Sequence, residues 1–224
     1  MRTKTVMLYK INELGEDAKE KAIESSREWN VNDEWWEGVY DWAKEAATKL
    51  GLSVSSIYFS GFSHQGQGSC FSGDYTYVPG CVDAIQSEFP QDAELLKIAK
   101  DLVVLQSEWE KSIAKAYIAN LEEDEEEDIP PVGGVDLDAI DFERYFSARI
   151  SGIGRGYRVE VDFLDPPDGC EIGDDEVASV FESFNDWIFS SLRKEYEYLI
   201  SDEAVYESLL SSKVEFNEDG SRAK

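Results

Sequence analysis

The chain has 224 residues and a formal net charge of −27, set by 48 acidic side chains, 21 basic ones and a single histidine. A polyanion of this kind repels nucleic acid and acidic membranes, and no compensating basic cluster is visible, so neither is expected as a direct partner. With 42% hydrophobic and 12% aromatic residues, the composition is that of a folded, soluble protein rather than an acidic tail, long enough for one large domain or two small ones.

The apolar stretches are too short for a membrane span, and Met1-Arg2-Thr3-Lys4 leads into a strand pattern without the apolar core of a signal peptide. Cys70, Cys81 and Cys170 are odd in number and lack framework spacing, so they read as free thiols in a reducing cytoplasm. A cytoplasmic location follows as the expectation.

In chain order, residues Thr5 to Ile11 are β-branched and aromatic and predict a strand. Leu14, Ala18, Ala22 and Ile23 then recur at helical spacing behind acidic residues, predicting a helix from Asn12 to about Trp29. Asp33 is the expected N-cap of a second helix whose stripe runs from Trp36 to Leu50 and stops at Gly51, a C-cap glycine. Leu52 to Phe62 and Ser69 to Tyr77 read as two strands of a hairpin around a glycine-rich run, ended by Pro79-Gly80. Asp92 to Asn120 contains no glycine or proline and carries Leu95, Ile98, Leu102, Val103, Leu105, Trp109 and Ile113, so it predicts a long amphipathic helix lying across a sheet.

The seven consecutive acidic residues Glu122 to Asp128, with Pro130 and Pro131 behind them, predict an exposed acidic loop over 121–134. Beyond it, Phe142 to Ser151 and Gly156 to Phe163 form a second expected hairpin, with Arg158, Glu160 and Asp162 on the face opposite Val159 and Val161. Asp174 to Ile200 predicts a third major helix, Ser201 caps a short helix through Leu210, and Val214 to Phe216 is a last candidate strand. Strands and helices are segregated rather than alternated. The expected fold is therefore α+β, an antiparallel sheet with hairpins packed against several long amphipathic helices, as a single domain over 1–224.

Several blocks resemble a family of phage and mobile-element proteins commonly labelled "antitoxin of toxin-antitoxin stability system". They are Asn12-Glu-Leu-Gly-Glu-Asp-Ala-Lys-Glu-Lys-Ala22, Trp35-Trp36, Gly61-Phe-Ser-His-Gln-Gly-Gln-Gly-Ser-Cys-Phe-Ser-Gly73, Lys194-Glu-Tyr-Glu-Tyr-Leu-Ile-Ser-Asp-Glu-Ala-Val205 and Glu215-Phe-Asn-Glu-Asp-Gly220. Members often carry an acidic residue at the position of Gln67. The resemblance implies a shared fold and a phage or prophage origin, and assigns no activity to any residue.

Within the Gly61 to Gly73 run, Gln65, Gly66, Gly68 and Ser69 are candidate ligand-binding residues, because closely spaced glycines permit a nest of inward-pointing amides. No lysine follows Gly68 and no βαβ unit surrounds it, so it is neither a P-loop nor a dinucleotide fold, and a structural hairpin is the preferred reading. His64 and Cys70 invite a Cys-His nucleophile, but nothing supplies the required geometry. A zinc site from His64, Cys70, Cys81 and Cys170 lacks paired spacing. The acidic clusters do not fit a calcium loop. No catalytic residue, metal or cofactor is assigned, and the chain reads as a non-enzyme. Trp35, Trp36, Trp42, Trp109 and Trp187 mostly fall on helical stripes and are expected in the core, but Trp35 and Trp36 cannot both face inward, so one is expected as an exposed interface anchor.

From Leu121 onward, 29 acidic residues stand against nine basic ones, a net of −20. The candidate partner-binding residues are accordingly Glu122, Glu123, Asp124, Glu125, Glu126, Glu127, Asp128, Asp136, Asp138, Asp141 and Glu143. The expected function is a phage accessory protein that inhibits a basic host protein, a nuclease or CRISPR effector, by presenting carboxylates in place of a nucleic acid. The alternatives are a small-ligand or nucleotide-binding protein or enzyme centred on the glycine-rich hairpin, and an antitoxin neutralising a basic toxin.

Overall fold

A computed structural model describes residues 7–62, 64, 67–124, 148–153, 158–163, 170 and 174–223; at 120–124, 152–153, 158, 163 and 174–175 only the backbone is described. The fold is α+β. In chain order its elements are α1 (Glu16–Ser25), α2 (Glu37–Lys49), β1 (Leu52–Phe59), β2 (Ser69–Tyr75), α3 (Cys81–Glu88), α4 (Ala93–Asp124), β3 (Ala148–Ile153), β4 (Arg158–Phe163), α5 (Asp174–Leu199) and α6 (Asp202–Ser211), with 3₁₀ turns at Ile11–Glu13 and Trp29–Val31. The chain divides into two compact units, one made of Met1–Val39 with Ser191–Lys224 and the other of Tyr40–Ser190.

The unit that contains both chain ends is built on a small apolar cluster of Ile11, Leu14, Ala22, Val205, Leu209, Val214 and Phe216. The expected strand at Thr5 to Ile11 is not formed over its described part. Tyr9 makes a single bridge to Phe216, with both amides donating across at 2.9 Å, and Ile11 opens a 3₁₀ turn. The candidate strand at Val214 to Phe216 is likewise reduced to isolated bridges, from Phe216 to Tyr9 and to Arg222. The apolar residues of both segments are consumed by packing on α6 rather than by a ladder, which is how tertiary burial overrides β propensity.

The first expected helix is shorter than its pattern. Gly15 is an extended N-cap, so α1 starts at Glu16, while the Glu13 carboxylate turns back to accept the Lys10 amide at 2.7 Å. Ser201 caps α6 as expected, its hydroxyl accepting from the Ala204 amide at 3.3 Å.

The Tyr40–Ser190 unit carries an antiparallel sheet in the order β1-β2-β3-β4. Along β2, Ser69, Phe71, Gly73 and Tyr75 are buried and alternate with exposed or half-buried residues. β1 matches this only because of a bulge: Leu52 and Val54 pair opposite Tyr75 and Gly73, Ser55 is extra, and Ile57 and Phe59 then pair opposite Phe71 and Ser69. One added residue moves Ile57 and Phe59 onto the inner face, where strict alternation would have placed Ser56 and Tyr58. Gly73 is the complement of that bulge, since a Cβ there would lie 2.3 Å from the Ser53 carbonyl oxygen.

Helices cover the inner face. Tyr75 packs on Trp109 of α4 and Phe181 of α5, Phe71 meets Phe184 edge-on at 5.4 Å, and Phe184 stacks on Trp187. Rings of this size dominate a core energetically, each burying some 150–250 Å². The opposite face of the sheet is exposed at Tyr58, Asp74, Arg149, Glu160 and Asp162. Asp92 sits just ahead of α4 and is shared: one carboxylate oxygen accepts the Leu95 amide at 2.9 Å and the other accepts the Trp187 indole N–H at 2.8 Å.

Two helical features differ from the sequence reading. α3 is unexpected, because eight residues with only Cys81 and Ile85 buried give too brief a period to register. α4 runs through Asp124, so the first residues of the expected acidic loop are helical, glutamate being a good helix former once a long helix is already propagating.

Candidate functional site

The glycine-rich hairpin loop spends its polar groups on itself. The Gln67 side chain donates from Nε2 to the Ser60 carbonyl at 3.1 Å and accepts the His64 amide on Oε1 at 2.6 Å, filling the space beside Gly61, whose φ is +98°. The Gly68 amide donates to Ser60 Oγ at 3.4 Å and its carbonyl accepts the Ser60 amide at 3.1 Å. Ser69 is 1% exposed, donates to the Asn185 carbonyl at 2.9 Å, and has its own carbonyl bound by Asn185 Nδ2 at 2.5 Å. Two of the four ligand candidates, Gly68 and Ser69, are thus tied to protein neighbours; Gln65 and Gly66 lie outside the described residues.

Neither Cys70 nor Cys81 is set up as a nucleophile. Burial pushes the Cys70 and Cys81 thiols above their ordinary values, the reverse of the shift that generates a thiolate. Among the described residues no hydrogen bond joins Cys70 to the exposed His64. Cys81 donates weakly to the Ala99 carbonyl and Cys170 to Ser112 Oγ; all three cysteines are free. Among the described residues no cluster of three or more His, Cys, Asp or Glu is arranged around a metal position. Tyr40, beside Cys70 and Tyr58, is pushed up to about 12, chiefly by burial.

Of the candidate partner-binding carboxylates, Glu122, Glu123 and Asp124 fall on the last turn of α4 with their side chains outside the described residues. Glu125, Glu126, Glu127, Asp128, Asp136, Asp138, Asp141 and Glu143 lie wholly outside them. The tryptophan expectation is corrected. Trp35 and Trp36 are both half-buried, meeting edge-on at 5.9 Å with Trp35 also against Tyr196, whereas Trp42, expected in the core, is 39% exposed.

The described surface does contain an acidic feature that the sequence reading missed. α4 and α5 border an open groove of about 490 Å³. From α4 come Asp101, Val104, Leu105 and Glu108, and from α5 come Glu176, Ser179, Val180 and Ser183. Both sets follow the i, i+3, i+4, i+7 spacing of a single helix stripe. Leu105 and Val180 are 8% exposed and form the floor, while Val104 is 59% exposed. Ser183 Oγ folds back on the Ser179 carbonyl at 2.9 Å. Asp101, Glu108 and Glu176 are exposed and, among the described residues, carry no ion pair or hydrogen bond. One turn along α5, burial and then the neighbouring Glu182 carboxylate push the Asp186 carboxyl above its usual range.

Residues 35–125, α2 through α4 and less than half of the chain, are similar to a family described as a domain of unknown function (DUF8835). No curated protein and no solved structure matches the chain.

Proposed function

We propose that the chain is a non-enzymatic binding protein of phage or prophage origin that inhibits a basic, nucleic-acid-handling host protein, in the manner of an anti-CRISPR or anti-restriction factor. The observation that carries this reading is the set of exposed carboxylates on regular elements of the Tyr40–Ser190 unit that, among the described residues, have no ion pair or hydrogen bond: Asp101 and Glu108 on α4, Glu160 and Asp162 on β4, and Glu176 on α5. A carboxylate fixed on a helix or strand has a defined spacing. It therefore competes for a phosphate-binding surface in a way that a floppy acidic tail does not.

The resemblance to phage and mobile-element proteins supports the same reading, and an antitoxin that neutralises a basic toxin is its variant with a different partner. The protein then works in the host cytoplasm; among the described residues no helix is long and apolar enough to cross a membrane.

The test is capture from host lysate at low and high salt with mass spectrometry, followed by competition with duplex DNA or RNA. A basic nucleic-acid-binding protein held at low salt, released at high salt and displaced by nucleic acid is the expected result. Retention indifferent to both salt and nucleic acid would sink the electrostatic version.

A further inference from the structure

We infer that the groove between α4 and α5 is the anchoring site of that partner, and that its occupant is a cationic amphipathic helix: apolar side chains on one face, flanked by lysine or arginine. The inference rests on the acidic-surface reading and gives it a location. Its apolar half comes from Val104, left 59% exposed at the centre of the α4 stripe above a floor of Leu105 and Val180. A partly exposed apolar strip in a concavity is the usual seat of an amphipathic helix. Affinity in such sites comes mainly from the central apolar anchor.

Its charged half comes from the lining. Asp101, Glu108 and Glu176 border the groove, and among the described residues none of them is paired and no cation lines it. Glu182 and Asp186 extend the negative field along α5, where the Asp186 carboxyl is raised first by burial and then by the neighbouring Glu182 carboxylate. An acidic or neutral helix would leave those carboxylates desolvated and unmatched, whereas lysine or arginine satisfies them and speeds encounter.

The length is also constrained. From Asp101 to Glu108 is about 10 Å at ~1.5 Å per residue, roughly two turns. Lys97 and Lys111 stand one turn beyond either end of that stripe on α4. They repel further cations, so the basic residues of the occupant must cluster around its apolar centre. A second copy of the chain is disfavoured as occupant, because both copies carry a net charge of −27.

The probe is a fluorescein-labelled helical peptide of roughly 15–18 residues, the length at which an isolated helix is viable, with leucines on one face flanked by lysines. A second peptide has glutamate at each lysine. Fluorescence anisotropy with the full chain is expected to show the lysine peptide binding at least about tenfold more tightly than the glutamate peptide. Val104→Asp should weaken the lysine peptide by about tenfold or more even though it adds negative charge. Val104 is exposed, so the fold should survive, which an unchanged melting temperature checks. Ser179→Trp, which fills the groove by bulk, gives the same loss independently.

If both variants bind the lysine peptide as well as the parent while neutralisation of Glu122 to Asp128 abolishes binding, the groove is overturned and the acidic-surface reading stands. If the lysine peptide does not bind at all, both fall. Self-association of the chain that Val104→Asp disperses would make the occupant a second copy and likewise overturn the inference.

Discussion

In the unit formed by Met1–Val39 and Ser191–Lys224, 17 acidic residues stand with 11 basic ones; in Tyr40–Ser190 the figures are 31 and ten. The first unit uses its cations locally. Lys19 pairs with Glu16 at 2.8 Å, Lys21 with Asp219 at 2.8 Å, and Arg27 with both Glu24 and Asp202, while Arg222 lies 4.5 Å over the Trp29 ring. In the second unit the described ion pairs are Lys49 with Glu88 and a long contact of 3.9 Å from Arg149 to Asp74. A unit with a small apolar cluster pins its segments with polar contacts. The other is held by a stacked aromatic core, and among the described residues few of its carboxylates are taken up in ion pairs.

The largest expected effect breaks that aromatic core. Phe184 is fully buried between Phe71 and Trp187, and Phe184→Ala should cost about 3–5 kcal/mol. Urea denaturation reads it, and a loss below about 1 kcal/mol would mean that the rings are not what holds this unit. In the other unit a backbone contact is the sharper target. Gly220 has φ +80°, and a Cβ there would lie 2.1 Å from the Ala18 carbonyl oxygen. Gly220→Ala should cost on the order of 1–3 kcal/mol, visible as a lowered melting temperature, and an unchanged one would show that this close approach is not maintained.

The smallest effects are in the pH dependence, where the two units should respond with opposite sign. Hydrogen bonds from Lys21 and Ser221 hold the Asp219 carboxyl below its ordinary value of 3.8. Its contribution to stability is therefore present above pH 3.8 and is lost as the pH falls through the lowered value. Asp219→Asn should destabilise at neutral pH and match the parent in strong acid. Asp186 is raised by burial and by Glu182, so folding penalises its charged form at neutral pH and the penalty lifts as the pH falls through the raised value. Asp186→Asn should stabilise at pH 7, by less than about 1 kcal/mol once solvent screening is counted, with the gain fading by about pH 4. Melting curves from neutral pH down into strong acid distinguish the two, and shifts of the same sign would remove the contrast.

Much of the architecture was legible because it is local. Gly51, with φ +81°, ends α2 as expected; Ser201 caps α6; the patterns behind α4, α5 and the first hairpin match the observed elements to within a few residues; and β3 and β4 fall on the second expected hairpin, whose residues 142–147 and 156–157 lie outside the described ones. The misses share a cause. Tyr9 and Phe216 look like strand residues, yet they are satisfied by isolated bridges and by packing on one apolar cluster, a choice made by residues about 200 positions apart. Trp42 sits on an apolar stripe but finds only partial cover from Phe89 and Trp187. Val104 was passed over because the stripe through Leu105 and Trp109 already accounted for α4. Nothing in the sequence near it foretells Val180, which completes the groove.

By itself, then, the sequence determined the acidic balance, the α+β class and the secondary elements, since charge count, period 2 against period 3.6, and capping chemistry act over a few residues. The tertiary structure alone decided the β1 bulge that Gly73 accommodates, the commitment of Ser69 to Asn185, and the meeting of Asp101 to Glu108 with Glu176 to Ser183. Each of those depends on which distant surfaces come within van der Waals contact, and local propensity does not encode that.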